Sequence, residues 1–378
     1  MSVDVRPVTG GRDLKAFIDL PFRLHANHPL WVPPLKLERR IFLSRRLNAY
    51  FSHAEAEYFL ACRDGQVVGR ITAQVNHASN DHHGRRWGDF GWIEFEDDAE
   101  VLEALLSAAH RWLAARGMER MVGPMDFQMN DECGVLIEGF DLRPMVRQPW
   151  HPRYYQQRME AAGLVKAVDL LMWDLEVADR AAMLPVLFEL AEKVQSEHGI
   201  RLRKMTRRGL RKDLDLFGEI YNEAWKDNWG FVPLGGKDLD AYAQEMQLVF
   251  DSDWFMVAER IDTGEAVAIA ITAPDVNQVL MRMNGRLLPF GWLTFLRKKR
   301  YMDRVRVGFL GVKPEYQHTG VAAKLYVEHF DVAAVTAFKA GEMGWILETN
   351  TAMNRGMEAM GGRVVKKYRM YERVFGRS

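Results

Sequence analysis

The segment 305–325 holds the residues whose types and spacing are best suited to chemistry. It reads Val305-Arg306-Val307-Gly308-Phe309-Leu310-Gly311-Val312-Lys313-Pro314-Glu315-Tyr316-Gln317-His318-Thr319-Gly320-Val321-Ala322-Ala323-Lys324-Leu325. The pattern predicts a strand that stops at a proline, a turn through Thr319-Gly320, and an amphipathic helix. The first N–H groups of a helix lack partners within it and sit at the positive end of its dipole, so they can hold a diphosphate without any net charge. Small residues at Gly320, Ala322 and Ala323 let such a group approach the main chain. A plain strand-turn-helix corner uses the same residue types, so the segments downstream matter. There Trp345-Ile346-Leu347-Glu348-Thr349-Asn350 reads as a buried-type strand, followed by a short helix holding Asn354, then Gly361-Gly362 and a strand over 363–371.

Other reactive groups are less ordered in the sequence. His77, His82 and His83 lie near Asp81, but their spacing fits no helix face and no Cys is close, so a solvated loop is expected and no metal. Polar and aromatic residues cluster in three expected loops: 123–134 with Asp131, 148–155 with His151 and Tyr155, and 221–231 with Trp225 and Trp229. Loops of this composition could line a cleft between domains.

The elements that must position these groups recur along the chain. Two halves each begin with a short strand and an amphipathic helix, at Val3 and Arg12 and again at Ile200 and Leu210. Each continues with a hairpin around a glycine-containing turn, 58–62 with 67–75 and 254–261 with 266–273. Each then offers strand, helix, strand, short helix and closing strand, with Gly117, Gly163 and Gly361 as helix stops. We therefore expect two mixed α/β domains, at 1–180 and 200–378, joined by a helix over 181–199.

Composition bounds the rest. With 378 residues, 51 Lys+Arg and 51 Asp+Glu, the chain is long enough for two domains and has no net charge, which argues against wrapping by nucleic acid. Two cysteines are too few for a disulfide scaffold or a four-thiolate zinc site. The first residues show no export signal and no apolar run reaches the ~18 residues of a spanning helix, so a cytoplasmic location is expected.

In the order of its motifs the chain resembles the GCN5-related N-acetyltransferase (GNAT) superfamily, in which a Gln/Arg-X-X-Gly-X-Gly/Ala turn binds the diphosphate of coenzyme A. Residues 305–325 and 345–371 carry the likeness, and the second half matches from Ile200 on. The first half looks like a degenerate copy, since its turn at 94–100 is acidic and lacks glycine. The resemblance implies a tandem GNAT fold and acyl-CoA as co-substrate, without a metal. It places the diphosphate at Gln317, His318, Thr319, Gly320, Val321 and Ala322. It places the pantetheine arm between Leu310-Gly311-Val312 and the second strand, with Asn350 and Asn354 facing the cofactor. Many members protonate the leaving thiolate with a Tyr where this chain has Met357. For the general base, the resemblance directs attention to Glu348 and, secondarily, to His151 of the other half.

An insertion over 277–303 exceeds what a minimal member needs. Its apolar centre, 287–296 with Trp292, runs directly into Arg297-Lys298-Lys299-Arg300, a pattern suited to an anionic membrane surface. With Asn277, Asn284, Trp229, Asp131 and Tyr155 as candidate substrate contacts, the chain is similar to bacterial ceramide synthases. That branch implies acyl transfer to a lipid amine such as a sphingoid base, at the inner membrane face. An acetyltransferase on a small molecule or peptide, or a non-catalytic acyl-CoA-binding protein, are the alternatives.

Overall fold

The structure, a computed structural model, describes residues 2–176, 181 and 183–376. Residue 182 of the expected connecting helix, and residues 177–180 just before it, lie outside the described residues. In chain order the elements begin β1 (Asp4–Pro7), α1 (Gly11–Leu24), α2 (Lys36–Phe42), β2 (Ala54–Arg63), β3 (Gln66–Asn76), α3 (His77–His83), β4 (Trp87–Phe95) and α4 (Ala99–Ala114). There follow β5 (Arg120–Gly123), β6 (Val135–Glu138), α5 (Tyr154–Ala161), β7 (Val165–Leu175), α6 (Pro185–His198), β8 (Ile200–Lys204), α7 (Leu210–Ala224), α8 (Gly236–Val249), β9 (Phe255–Arg260) and β10 (Ala266–Pro274). The last are α9 (Asn277–Met283), α10 (Gly291–Leu296), β11 (Arg304–Val312), α11 (Val321–Val335), β12 (Ala340–Leu347), α12 (Thr351–Ala359) and β13 (Arg363–Val374).

These elements form two compact units. Unit 1 comprises Met1–Leu170, Leu280–Leu296 and Lys366–Ser378; unit 2 comprises Leu171–Val279 and Arg297–Val365. In unit 1 the strands run β1-β2-β3-β4-β5-β13, antiparallel except for the parallel pair β4/β5. Apolar residues of α4, among them Val101, Leu105, Leu106 and Ala109, bury against Ile71, Phe90 and Phe95 of this sheet. Phe17 and Ile18 of α1 form a second cluster with Tyr58, Leu60, Trp92 and Phe127. In unit 2 the order is β12-β11-β10-β9-β8, again antiparallel except for parallel β11/β12.

Several expectations are corrected. The His77–His83 stretch is the short helix α3, capped by the Asn76 side chain accepting from Ser79 N–H at 3.0 Å, where a loop was expected. No cluster of three or more metal-ligating side chains occurs among the described residues. The helices α2 and α8 and the strand β6 had no counterpart in the sequence reading. The insertion does not stay with the strands that flank it, because Leu280–Leu296 groups with unit 1. Gly285 brings it there: Lys36 N–H donates to the Gly285 carbonyl at 3.2 Å, and a Cβ at Gly285 would lie 2.3 Å from Phe22 and 2.9 Å from the Pro34 carbonyl.

Candidate active site

In unit 2 the parallel register of β11 and β12 runs from Arg304↔Ala340 to Val307↔Met343 and stops there, although β11 continues to Val312 and β12 to Leu347. Two strands thus part from a common root. Buried Arg306 secures that root, donating from Nε and a terminal nitrogen to the Gly344 carbonyl at 3.2 and 2.9 Å. Where the opening begins, β11 bulges: Val307 pairs with Thr272 and Phe309 with Ile271, leaving Gly308 outside the ladder. Gly308 is exposed, and a Cβ there would meet only the Ile271 carbonyl, at 3.8 Å.

The far half of β11 keeps one side against aromatic rings. Gly311 has room for no side chain, since a Cβ would lie 2.2 Å from the Trp225 ring. Tyr221 stacks on Trp225 at 5.2 Å between ring centres and lies 5.3 Å from Phe231, while Phe217 meets Phe309 edge-on at 4.9 Å. The 221–231 cluster therefore packs on β11 within unit 2, and Trp229 stays half-buried in the turn beyond it. Leu310 and Val312 are buried.

β11 leads into a six-residue 3-10 turn, Pro314–Thr319. The Thr319 hydroxyl closes it by donating to the Tyr316 carbonyl at 2.6 Å. Glu265 fixes its other side through Lys313 at 2.9 Å and the Tyr316 hydroxyl at 3.0 Å. Gly320 then turns with φ +77° and caps α11 without any side-chain hydrogen bond, so the first N–H groups of the helix are left open. Gln317 and His318 are exposed and Ala322 is half-buried. The helix α6 shields the turn, with the Cβ and carbonyl oxygen of Leu190 each 3.2 Å from where a Gly320 Cβ would sit.

Beyond β12, Asn350 accepts from Met353 N–H at 3.1 Å and so caps α12. Asn354 donates to the Leu347 carbonyl at 3.1 Å and accepts from the Trp173 indole at 2.9 Å. Both amides thus anchor the chain at the end of β12. Glu348 is exposed directly after that strand. Met357 is fully buried on α12. Sequence reasoning passed over Tyr326, whose hydroxyl leaves α11 to meet the Met353 sulfur at 3.3 Å; burial pushes it up to about 12, so it keeps its proton at neutral pH. A tyrosine amid helical apolar residues carried no signal of this.

The corresponding place in unit 1 is filled by its own chain. β4 and β5 pair from Trp87↔Arg120 to Asp89↔Val122. Past that point Met125 N–H donates to the Phe90 carbonyl at 2.8 Å, and the Asp126 carboxylate accepts from Trp92 N–H at 2.7 Å. A Cβ at Gly91 would lie 1.7 Å from the Met125 carbonyl oxygen, so the strand and the 123–127 segment touch backbone to backbone. At the start of α4, Asp98 accepts from Glu100 N–H at 2.8 Å and pairs with Arg63 at 2.6 Å. A carboxylate already occupies the anion position of that helix.

The remaining candidates in unit 1 are also engaged. His151 is buried and its Nδ1 accepts from Leu136 N–H at 3.3 Å, which leaves no lone pair to receive a proton; burial drives it down to about 4. Tyr155 donates to Glu94 at 2.7 Å. Burial would raise Glu94, but His25 at 2.7 Å and Arg70 outweigh this and hold it at about 2. Asp131 pairs with Arg147 at 2.6 Å. Buried Asn277 opens α9 by donating its N–H to Asp275 at 3.2 Å, and exposed Asn284 ends the same helix region with φ +45°.

A parting parallel strand pair beside an uncapped helix start, with a second unit of like strand order, is the arrangement of a tandem GNAT fold. A tandem GNAT protein from the clavulanic acid biosynthesis pathway superposes with a TM-score of 0.60 at 12% identity, covering 100% of both chains. A GCN5-related N-acetyltransferase from Sphaerobacter thermophilus gives 0.55 at 14% identity, over 98% of this chain and 95% of that one. No family model matches the sequence. Two relatives span nearly the whole chain: the bacterial ceramide synthase of Caulobacter vibrioides, 36% identical over 98% of this chain and 97% of its own, and Protein YghO of Escherichia coli, 35% identical over 98% and 95%. The chain belongs to the family of these two proteins.

Proposed function

We propose that unit 2 binds an acyl-CoA and transfers its acyl group to the amine of a long-chain lipid, of the sphingoid-base type. The observation that carries this reading is the parting of β11 and β12 at Val307/Met343, next to the open start of α11. The diphosphate would rest on the N–H groups of 321–323 and on the exposed side chains of Gln317 and His318. The pantetheine arm would enter between the strand halves, where backbone groups outside the ladder can bond to it, and the thioester would lie near Gly308.

The chemistry is an exchange of bonds at one carbonyl carbon. The neutral amine forms the C–N bond, the C–S bond breaks, and the sulfur leaves with the electron pair. The amine loses a proton, for which exposed Glu348 is our acceptor, directly or through water. Buried Met357 cannot donate, so the thiolate takes its proton from water. Unit 1, with its opening filled, would serve structure and acceptor binding without holding a second acyl-CoA.

The lipid acceptor is supported by the name of the Caulobacter relative and by the apolar-to-basic run 287–300, which suits contact with an anionic membrane. Mass spectrometry of a reaction of the purified protein with acyl-CoA and a sphingoid base tests the proposal. Formation of the long-chain amide is expected. Acylation of short water-soluble amines alone would replace the lipid reading, and bound acyl-CoA with no turnover on any amine would reduce the protein to a binder.

A further inference from the structure

We propose that unit 1 carries a membrane-docking surface built from two segments about 240 residues apart, α2 with Leu47 and the stretch 286–296, and that its partner is an anionic lipid bilayer. The idea rests on the lipid-acceptor reading in one respect, that a long-chain amine resides in such a bilayer.

The helix α2 buries none of its seven residues. Leu37 and Ile41, four apart and hence on one face, are 58% and 48% exposed, and Leu47 just beyond is 66% exposed. In the insertion, Leu288, Phe290 and Leu296 are each 72% exposed, with Trp292 and Leu293 open as well. The Trp292 indole is held in place by donating to the Pro289 carbonyl at 2.8 Å. An amphipathic ring fixed at a surface suits the boundary between headgroups and acyl chains.

The two segments are joined. Gly285, immediately before the insertion's apolar run, accepts from Lys36 N–H, the first residue of α2, and packs on Phe22 and Pro34. The Lys36 ammonium lies 4.2 Å over the Phe22 ring and pairs with Asp19 at 2.5 Å, fixing this corner.

Charge selects the bilayer as the occupant. Arg40, Arg46 and Arg286 are exposed and form no ion pair among the described residues. The acid of α2, Glu38, is paired with Arg39 at 3.3 Å. Exposed arginines interleaved with apolar side chains complement anionic headgroups, each cation adding to the attraction of the apolar surface. No helix among the described residues is long and apolar enough to cross a membrane, so the segments would lie on the bilayer surface.

The full chain is sedimented with vesicles of phosphatidylcholine alone and with 30% phosphatidylglycerol. L37E/I41E and L288E/F290E are each expected to lower the partition coefficient on the anionic vesicles at least tenfold, and R40Q/R46Q/R286Q to do so while abolishing the preference for phosphatidylglycerol. Unchanged thermal midpoints show that the variants fold, and L37E/I41E decides should the other double variant not fold. Wild-type partitioning by L37E/I41E would overturn the two-segment surface. So would equal binding of the wild type to both vesicle types, or a lipid-free dimer in light scattering that the same substitutions dissolve. Calorimetric acyl-CoA affinity should stay within twofold in every variant; absence of acyl-CoA binding by the wild type would instead sink the catalytic reading, whatever the vesicles show.

Discussion

Placing a carboxylate at the second residue of α11 tests the diphosphate site most sharply, because stability and ligand binding should then move in different directions. Ala322 is half-buried in the first turn of a helix with no side-chain cap. An acid in a first turn favours the helix by about 0.3–1 kcal/mol through the dipole. Ala322→Glu should therefore unfold at or slightly above the wild-type temperature. The bound diphosphate feels the opposite. At roughly 5 Å and an effective dielectric near 20, one charge pair repels by about 3 kcal/mol, which is a loss of about a hundredfold in affinity. Ala322→Gln, of similar size and without charge, should lose far less. Isothermal calorimetry with coenzyme A, alongside a thermal melt, reads both quantities. Equal affinities for the Glu and Gln variants would refute the placement of the diphosphate on this turn. Gly320→Glu is a poorer probe, since φ +77° and the closeness of Leu190 damage the turn itself.

Gly320→Ala should destabilise the protein by about 1–2 kcal/mol in denaturant unfolding, the left-handed cost of a side chain, and Leu190→Ala should not rescue it because the contacts are to Leu190 Cβ and O. Gly308→Leu should keep the wild-type melting temperature, as nothing crowds that Cβ, yet slow acyl transfer at least a hundredfold by filling the opening; unaltered rates would place the thioester elsewhere. Glu94, held at about 2 against an ordinary 4.5, adds stability that is fully present above the ordinary value and is lost as pH falls from about 5 to 2. Glu94→Gln should flatten that acid limb by about 3 kcal/mol at most, measured as stability against pH.

Local pattern made much of unit 2 legible. The strand ending at Pro314, the glycine at 320 and the apolar face of α11 each declare themselves within a few residues, and the structure has them as β11, its turn and α11. Gly308 was not legible as a site residue, because a bulge is defined by the neighbouring strand, here the step from Ile271 to Thr272. Asn350 and Asn354 are polar at the right spacing, but folding commits their amides to Met353 N–H, the Leu347 carbonyl and the Trp173 indole. The acidic turn at 94–100 hinted at a blocked first copy; the backbone of 123–127 filling the space beside β4 is a long-range contact that no spacing rule anticipates. The same holds for 280–296, whose partners Phe22 and Pro34 lie some 250 positions earlier.

The allotment of β13 carries a consequence for biogenesis. Residues 371–374 pair with 120–123 of unit 1, although the whole of unit 2 is encoded between them. On a ribosome, the assembly that starts emerging first must wait with an open edge until synthesis has passed through its neighbour. That interval exposes a strand able to pair with other nascent chains, and a chaperone holding it would shape the yield of native protein.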